Sequence, residues 1–189
     1  MFLSDGFHPT HMAAAGGKFW ILVDDQPIED GTPGPEVARL LAIDPGSDEI
    51  MSEVSLDGSP SHLFADENAV WVAHWGTGAV TRIDPQTGAV MAEIRLELPF
   101  DFGNREDKRL FIPNDLALGH GSLWVGTARG ALARIDVETN DVEIIELEPG
   151  ARGEIAVDED GVWIAEQVAG LEDVATLNQL APRVWSPWQ

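Results

Sequence analysis

The sequence has no cysteine, which excludes disulfide staples, thiolate metal sites and a thiol nucleophile while leaving the compartment open. Any metal must then be held by His, carboxylate or carbonyl groups. Basic residues are scarce: 11 Lys and Arg stand against 33 Asp and Glu among 189 residues, a formal net charge of −22. Such a surface repels a polyanion, so nucleic acid is not an expected partner, and an anionic membrane is disfavoured for the same reason. No apolar run approaches the ~20 residues of a membrane span. Met1 to Gly6 lacks the basic and long apolar regions of an export signal, so the chain as written reads as soluble and unexported. Helical periodicity is nearly absent, as are a Walker A loop, a Rossmann glycine pattern and Gly-x-Ser-x-Gly, which sets nucleotide chemistry and serine hydrolysis aside.

What is present is a folded composition, 44% hydrophobic with seven Trp. The charge excess lowers stability through self-repulsion and is tolerated best where salt screens it, which predicts a salt-rich habitat.

Aligning the chain on Trp exposes a repeat. Val70-Trp71-Val72-Ala73, Leu123-Trp124-Val125-Gly126 and Val162-Trp163-Ile164-Ala165 share one pattern, and Phe19-Trp20-Ile21-Leu22 is a looser copy; the Trp residues are 51, 53 and 39 positions apart. Eleven positions before them stand Pro9, Pro60, Pro113 and, off pattern, Arg152. Downstream, Gly78 to Gly88 matches Gly130 to Asn140, and Val37 to Pro45 is a first copy; Val174 to Asn178 is a degenerate fourth. Each is followed by a further strand-like run: Ile50 to Leu56, Val90 to Leu96, Val142 to Leu147 and, more weakly, Arg183 to Trp185. In the turn between, Asp84 can accept backbone N–H bonds, Pro85 presets φ, and Gly88 or Asn140 tolerates φ > 0.

Four antiparallel strands in ~40 to 50 residues make a propeller blade. The reading is an all-β, single-domain β-propeller over residues 1–189, with four four-stranded antiparallel blades at about 7–57, 58–110, 111–149 and 150–189. Longer connections are expected at Asp24 to Glu36 and Glu97 to Ile112. Four blades leave three alternatives open: a small closed ring, a half-ring completed by a homodimer, or a piece of a larger propeller.

The segment AVWVAHWGTGAVTRIDPQTGAVMAEIRL, from Ala69 to Leu96, resembles the repeat of the YVTN-type and virginiamycin B lyase (streptogramin lyase) β-propellers, and SLWVGTARGALARIDVETNDV is a second good copy. The resemblance covers most of the chain, strongly in copies two and three. It implies a blade more specifically than a chemistry, because such propellers include lyases, lactone hydrolases, sensors and scaffolds.

In a propeller the first strand of each blade lines the central channel, so one repeat position forms a ring about the axis. The position two after the Pro holds His11, His62, Asp115 and, by the Trp register, Glu154, all able to ligate a divalent ion such as Zn²⁺, Mn²⁺, Mg²⁺ or Ca²⁺. The residue three after each Trp returns to the same end, which adds His74 and Glu166 beside Val23 and Thr127. Polar residues are also ordinary in a wet channel, satisfied by water alone. The expected function is a binding or scaffold propeller with a small-molecule, protein or metal site at this end.

The resemblance implies a second reading, a metal-dependent lyase or lactonase acting on a cyclic ester. Its catalytic residues would be His62 or His74 as the base and Glu166 or Glu154 beside the metal. Trp20, Trp71, Trp124 and Trp163 are expected to pack between blades, and Arg39, Arg82 and Arg134 to pair with carboxylates on neighbouring strands. The acidic stretches at Asp66 and Asp158 are read as hairpin turns rather than calcium loops, since EF-hand spacing is missing.

Overall fold

The computed structural model describes residues 7–25, 28–29, 32–33, 37–57, 59–97, 112–127, 131–147, 154–167 and 175–180. Among them all regular structure is strand. The chain divides into two compact units, Met1–Arg95 and Leu96–Gln189.

The first unit holds two four-stranded sheets. One is built from β1 (Phe7–Ala15), β2 (Lys18–Asp25), β5 (Val37–Ile43) and β6 (Ile50–Leu56); the short strands β3 (Ile28–Glu29) and β4 (Thr32–Pro33) pair with each other between β2 and β5. The other runs through β7 (Pro60–Ala65), β8 (Val70–His74), β9 (Ala79–Ile83) and β10 (Val90–Arg95). The second unit holds β11 (Pro113–Gly119), β12 (Ser122–Thr127), β13 (Ala131–Asp136) and β14 (Val142–Glu146), then a sheet of β15 (Ile155–Asp158), β16 (Gly161–Gln167) and β17 (Ala175–Leu180). Every sheet is an antiparallel meander, which is the blade that the repeat predicts. The fourth blade shows three strands among the described residues, and its expected last strand, Arg183 to Trp185, lies outside them. The connection expected from Asp24 begins later, since Asp24 and Asp25 still pair with Ala38 and Val37.

One turn recurs because one carboxylate holds it. Oδ1 of Asp84 accepts the amides of Gln86 at 2.7 Å and Thr87 at 3.0 Å, Asp136 accepts those of Glu138 at 2.9 Å and Thr139 at 3.0 Å, and Asp44 those of Gly46 at 2.7 Å and Ser47 at 2.9 Å. Each turn then closes through a residue at positive φ, with Asp48 at 57°, Gly88 at 74° and Asn140 at 63°, the conformation that Gly and Asn tolerate best. The amides, led by those of Ser47, Thr87 and Thr139, hold the three carboxyls below the usual Asp range. In the β7–β8 and β15–β16 hairpins Asp66 accepts the amides of Asn68 and Ala69, and Asp158 those of Asp160 and Gly161.

Within each unit the Trp strand supplies the seam between sheets. Trp20 is buried in a cluster with Leu22, Leu40 and Leu56 of its own sheet and Val70, Val72 and Ile83 of the next. Trp124 packs likewise with Leu132 and with Ile155, Val162 and Ile164 of the fourth sheet. Burial of an indole N–H requires a partner, and each donates to the carbonyl five residues earlier, Trp20 to Ala15 at 3.3 Å and Trp124 to Gly119 at 3.2 Å.

The arginines divide. Arg39 pairs with Glu53 at 3.1 Å and Arg134 with Glu143 at 3.7 Å. Arg82 and Arg134 also lie over the rings of Trp71 and Trp124, their direct cross-strand partners, at 4.9 Å and 6.0 Å. Arg39 instead faces Val23, and Ala42 stands opposite Trp20, so Arg39 does not occupy the repeat position of the other two.

Candidate functional site

The end of the first strands is shaped by a feature that recurs in three blades. The pairing runs Pro9 to Val23 and then His11 to Leu22, Pro60 to His74 and then His62 to Ala73, and Pro113 to Thr127 and then Asp115 to Gly126. One residue per strand, Thr10, Ser61 or Asn114, is therefore an unopposed bulge residue. A bulge bends the strand and re-aims the next side chain, and that next side chain is the candidate ring residue. The Thr10 and Ser61 hydroxyls turn back to the carbonyls of Leu22 and Ala73, each at 3.4 Å.

In the first unit β1 lies beside β7, and this brings the two expected histidines together. The rings of His11 and His62 are 4.8 Å apart between centroids, tilted by 45°. Both residues are half-buried, and Nδ1 of His11 is buried without a hydrogen-bond partner among the described residues. A desolvated imidazole nitrogen left without a partner costs free energy that a proton donor or a metal ion would recover.

His74 is at this end, opposite Pro60, but its side chain is shut in, with 3% of it exposed. Its Nε2 meets the Thr81 hydroxyl at 2.8 Å. Burial pulls its pKa below the ordinary histidine value, against a smaller upward pull from the Asp57 backbone, so it is neutral at pH 7. Thr81 was not foreseen, yet the sequence carries a sign of it. At its repeat position stand Leu41 and Ala133, and at the His74 position Val23 and Thr127, so blade two departs to a more polar residue at Thr81 and to histidine at position 74 together.

In the second unit β11 lies beside β15, and Asp115 works on the backbone. Its Oδ2 accepts the Ile155 amide at 2.6 Å and its Oδ1 the Leu116 amide at 2.8 Å. A carboxylate bonded to two amides is strongly held, so Asp115 ties the first strand of blade four to that of blade three. Glu154, the residue just before Ile155, is exposed. Glu166 lies in β16 opposite Thr176, and its side chain lies outside the described residues. Among the described residues no three His, Asp or Glu converge in a group that could hold a metal ion. Within the first unit His11 meets His62, and within the second Asp115 meets the amide of Ile155, next to Glu154. Away from this end, His120 sits in the β11–β12 turn with Nε2 2.9 Å from the Asp158 carbonyl.

Bulged first strands packed side by side, Trp seams and meander sheets describe one architecture. The fold is a β-propeller. The chain is similar in structure to the computationally designed Ika4 protein, with a TM-score of 0.63 and 11% identity over 91% of each chain. It is also similar to hydrazine synthase from Kuenenia stuttgartiensis (TM-score 0.59, 16% identity, 89% of this chain) and to BamB from Moraxella catarrhalis (0.54, 17%, 80%). The chain spans 44% of the length of each of these two natural propellers. At such identities the likeness is one of fold. No family model and no curated protein matches the sequence.

Proposed function

We propose that this propeller is a binding module of the YVTN and streptogramin lyase-like kind, which takes a small ligand or a divalent ion at the bulged end of its first strands, with His11 and His62 as the contacts. The observation that carries this reading is the approach of the two imidazoles to 4.8 Å, beside a buried Nδ1 of His11 that has no partner among the described residues. Two imidazoles suit Zn²⁺ better than Ca²⁺ or Mg²⁺, which prefer oxygen. A second copy of the chain is the partner in the half-ring reading.

The lyase or lactonase reading is the alternative. Burial of His74 favours His62 as the base within it, because a base must come within about 3 Å of the proton it takes and His74 is enclosed. His62 would then remove a proton from the carbon next to a carbonyl, the ester C–O bond on the adjoining carbon would break, and a C=C bond and a free carboxylate would result.

Elemental analysis of the purified full chain, run with a sizing column, tests both readings. The expected result is one ion per chain or per dimer after incubation with Zn²⁺, bound about tenfold or more weakly in His11→Ala and His62→Ala and unchanged in His120→Ala. Equal binding by all three variants overturns the site. Turnover of a cyclic ester that His62→Ala abolishes would select the lyase.

A further inference from the structure

By strand alternation Val70, Val72 and His74 of β8 share the face of the second sheet that meets the first, and Val70 and Val72 pack there in the cluster of Trp20. His74 is the polar end of that apolar row. Its own sheet holds one side of the ring, through Nε2 and the Thr81 hydroxyl at 2.8 Å. The ring also lies within reach of Asp57, which follows the last strand of the first sheet and whose backbone and carboxylate both act on it. His74 therefore touches both blades.

The contact suits a neutral ring alone. Either neutral tautomer leaves one nitrogen without a proton, and a second proton must go there. At Nε2 it displaces the Thr81 hydroxyl proton, and at Nδ1, which is buried, it places a donor where no hydrogen bond is formed among the described residues. In both cases a charge is enclosed away from water, which is costly.

Other titratable groups share the two facing surfaces. Glu93 and Arg95 of β10 are on the face of His74, and the first sheet presents His8 and His11 of β1 and Asp24 of β2, the last with its side chain outside the described residues. Burial outweighs the upward pull of Asp57 and Glu93 on His74. His62 pairs with Ala73 and so lies on the other face of the second sheet. The first blade has Val23 and Leu41 at the positions of His74 and Thr81, and in the seam of the second unit Glu166 takes the place of His74.

We infer that His74 is a proton-operated latch on the seam between the first two blades, joining them at neutral pH and parting them in mild acid while the second unit stays closed. The sign follows from burial. A histidine whose folded pKa is depressed leaves the closed seam fully stable above the unfolded value of about 6.5, and that stability is lost as pH falls from there toward the folded value.

The test follows exchange of the Trp20 and Trp124 indole N–H protons by NMR on the full chain without added metal, with the His74 ring read in the same titration. The expected result is a His74 ring that stays neutral below pH 6.5 and a Trp20 protection, corrected for the intrinsic pH dependence of exchange, that falls about tenfold between pH 6.5 and pH 5. Trp124 protection holds over that range. In His74→Val/Thr81→Leu, which copies the first blade, Trp20 protection holds as well. The latch is overturned by a His74 that titrates at or above 6.5, by Trp20 protection that holds to pH 5 in the unmutated protein or falls together with that of Trp124, or by a fall that persists in the double variant. All but the last are read on the unmutated protein and stand whatever the variant does to folding.

Discussion

At the scale of single residues, the chemistry of this chain is decided by what each carboxylate and imidazole already holds. Asp44, Asp84 and Asp136 spend their charge on backbone amides, and their pKa values are lowered for that reason. A carboxyl whose folded pKa is depressed contributes stability above its unfolded pKa of about 3.9, and that contribution is lost as pH falls through the folded value. Asp84→Asn keeps an acceptor oxygen and removes the charge. Its melting temperature should lie below that of the unmutated protein at pH 7, and the gap should close as both are titrated below about pH 4. A gap that stays constant with pH would mean that the charge is not what holds the turn. These turns were legible in the sequence because a short Asp-to-Gly or Asp-to-Asn pattern is a local instruction. The roles of Asp115 and Thr81 were not, because their partners are the Ile155 amide and the His74 ring, which only the register of other strands brings near.

At the scale of elements, repeat spacing predicted the strands well, and the reason is physical. Each of the first three blades must bury one Trp strand and close one Asp turn, so the pattern returns whenever the sheet does. The bulges escaped notice, since the residues that form them, Thr10, Ser61 and Asn114, have only polarity in common. Arg39 meets the carboxylate expected of it, Glu53 on the neighbouring strand, although it stands three positions from the repeat position of Arg82. Sheet packing makes its own demand at Gly119. A Cβ there would collide with the Val157 side chain of the next sheet, and overpacking of this kind costs about 1–3 kcal/mol. Gly119→Ala should therefore lower the melting temperature, and adding Val157→Ala should recover part of the loss; independent, additive effects would show that the two sheets do not meet there.

At the scale of the whole molecule, the net charge of −22 acts on every part at once. Self-repulsion falls as the screening length shortens, from about 10 Å at 0.1 M salt to about 3 Å at 1 M. The melting temperature should rise from low to molar salt, in chloride as well as in sulfate. A midpoint that ignores chloride would leave the acidic surface without the predicted cost to stability. Composition carries the charge, whereas the all-β class is read from the Trp-aligned repeat. Neither could announce which histidines meet, because His11 and His62 are 51 positions apart and are joined only when β1 lies beside β7.

The seam between the first two sheets also sets a timetable. Within each sheet a strand bonds to the one that follows it, so hairpins can close as soon as they are made. Lys18 waits longer, for its ammonium reaches the carbonyls of Pro85 and Gln86, 67 and 68 residues on. Trp20 waits with it, since Val70, Val72 and Ile83 complete its cluster. On a ribosome the first blade must therefore stand with its largest apolar side chain uncovered until most of the second has emerged, and the interval in which this chain is most open to aggregation is fixed by the distance along the chain from Trp20 to Ile83.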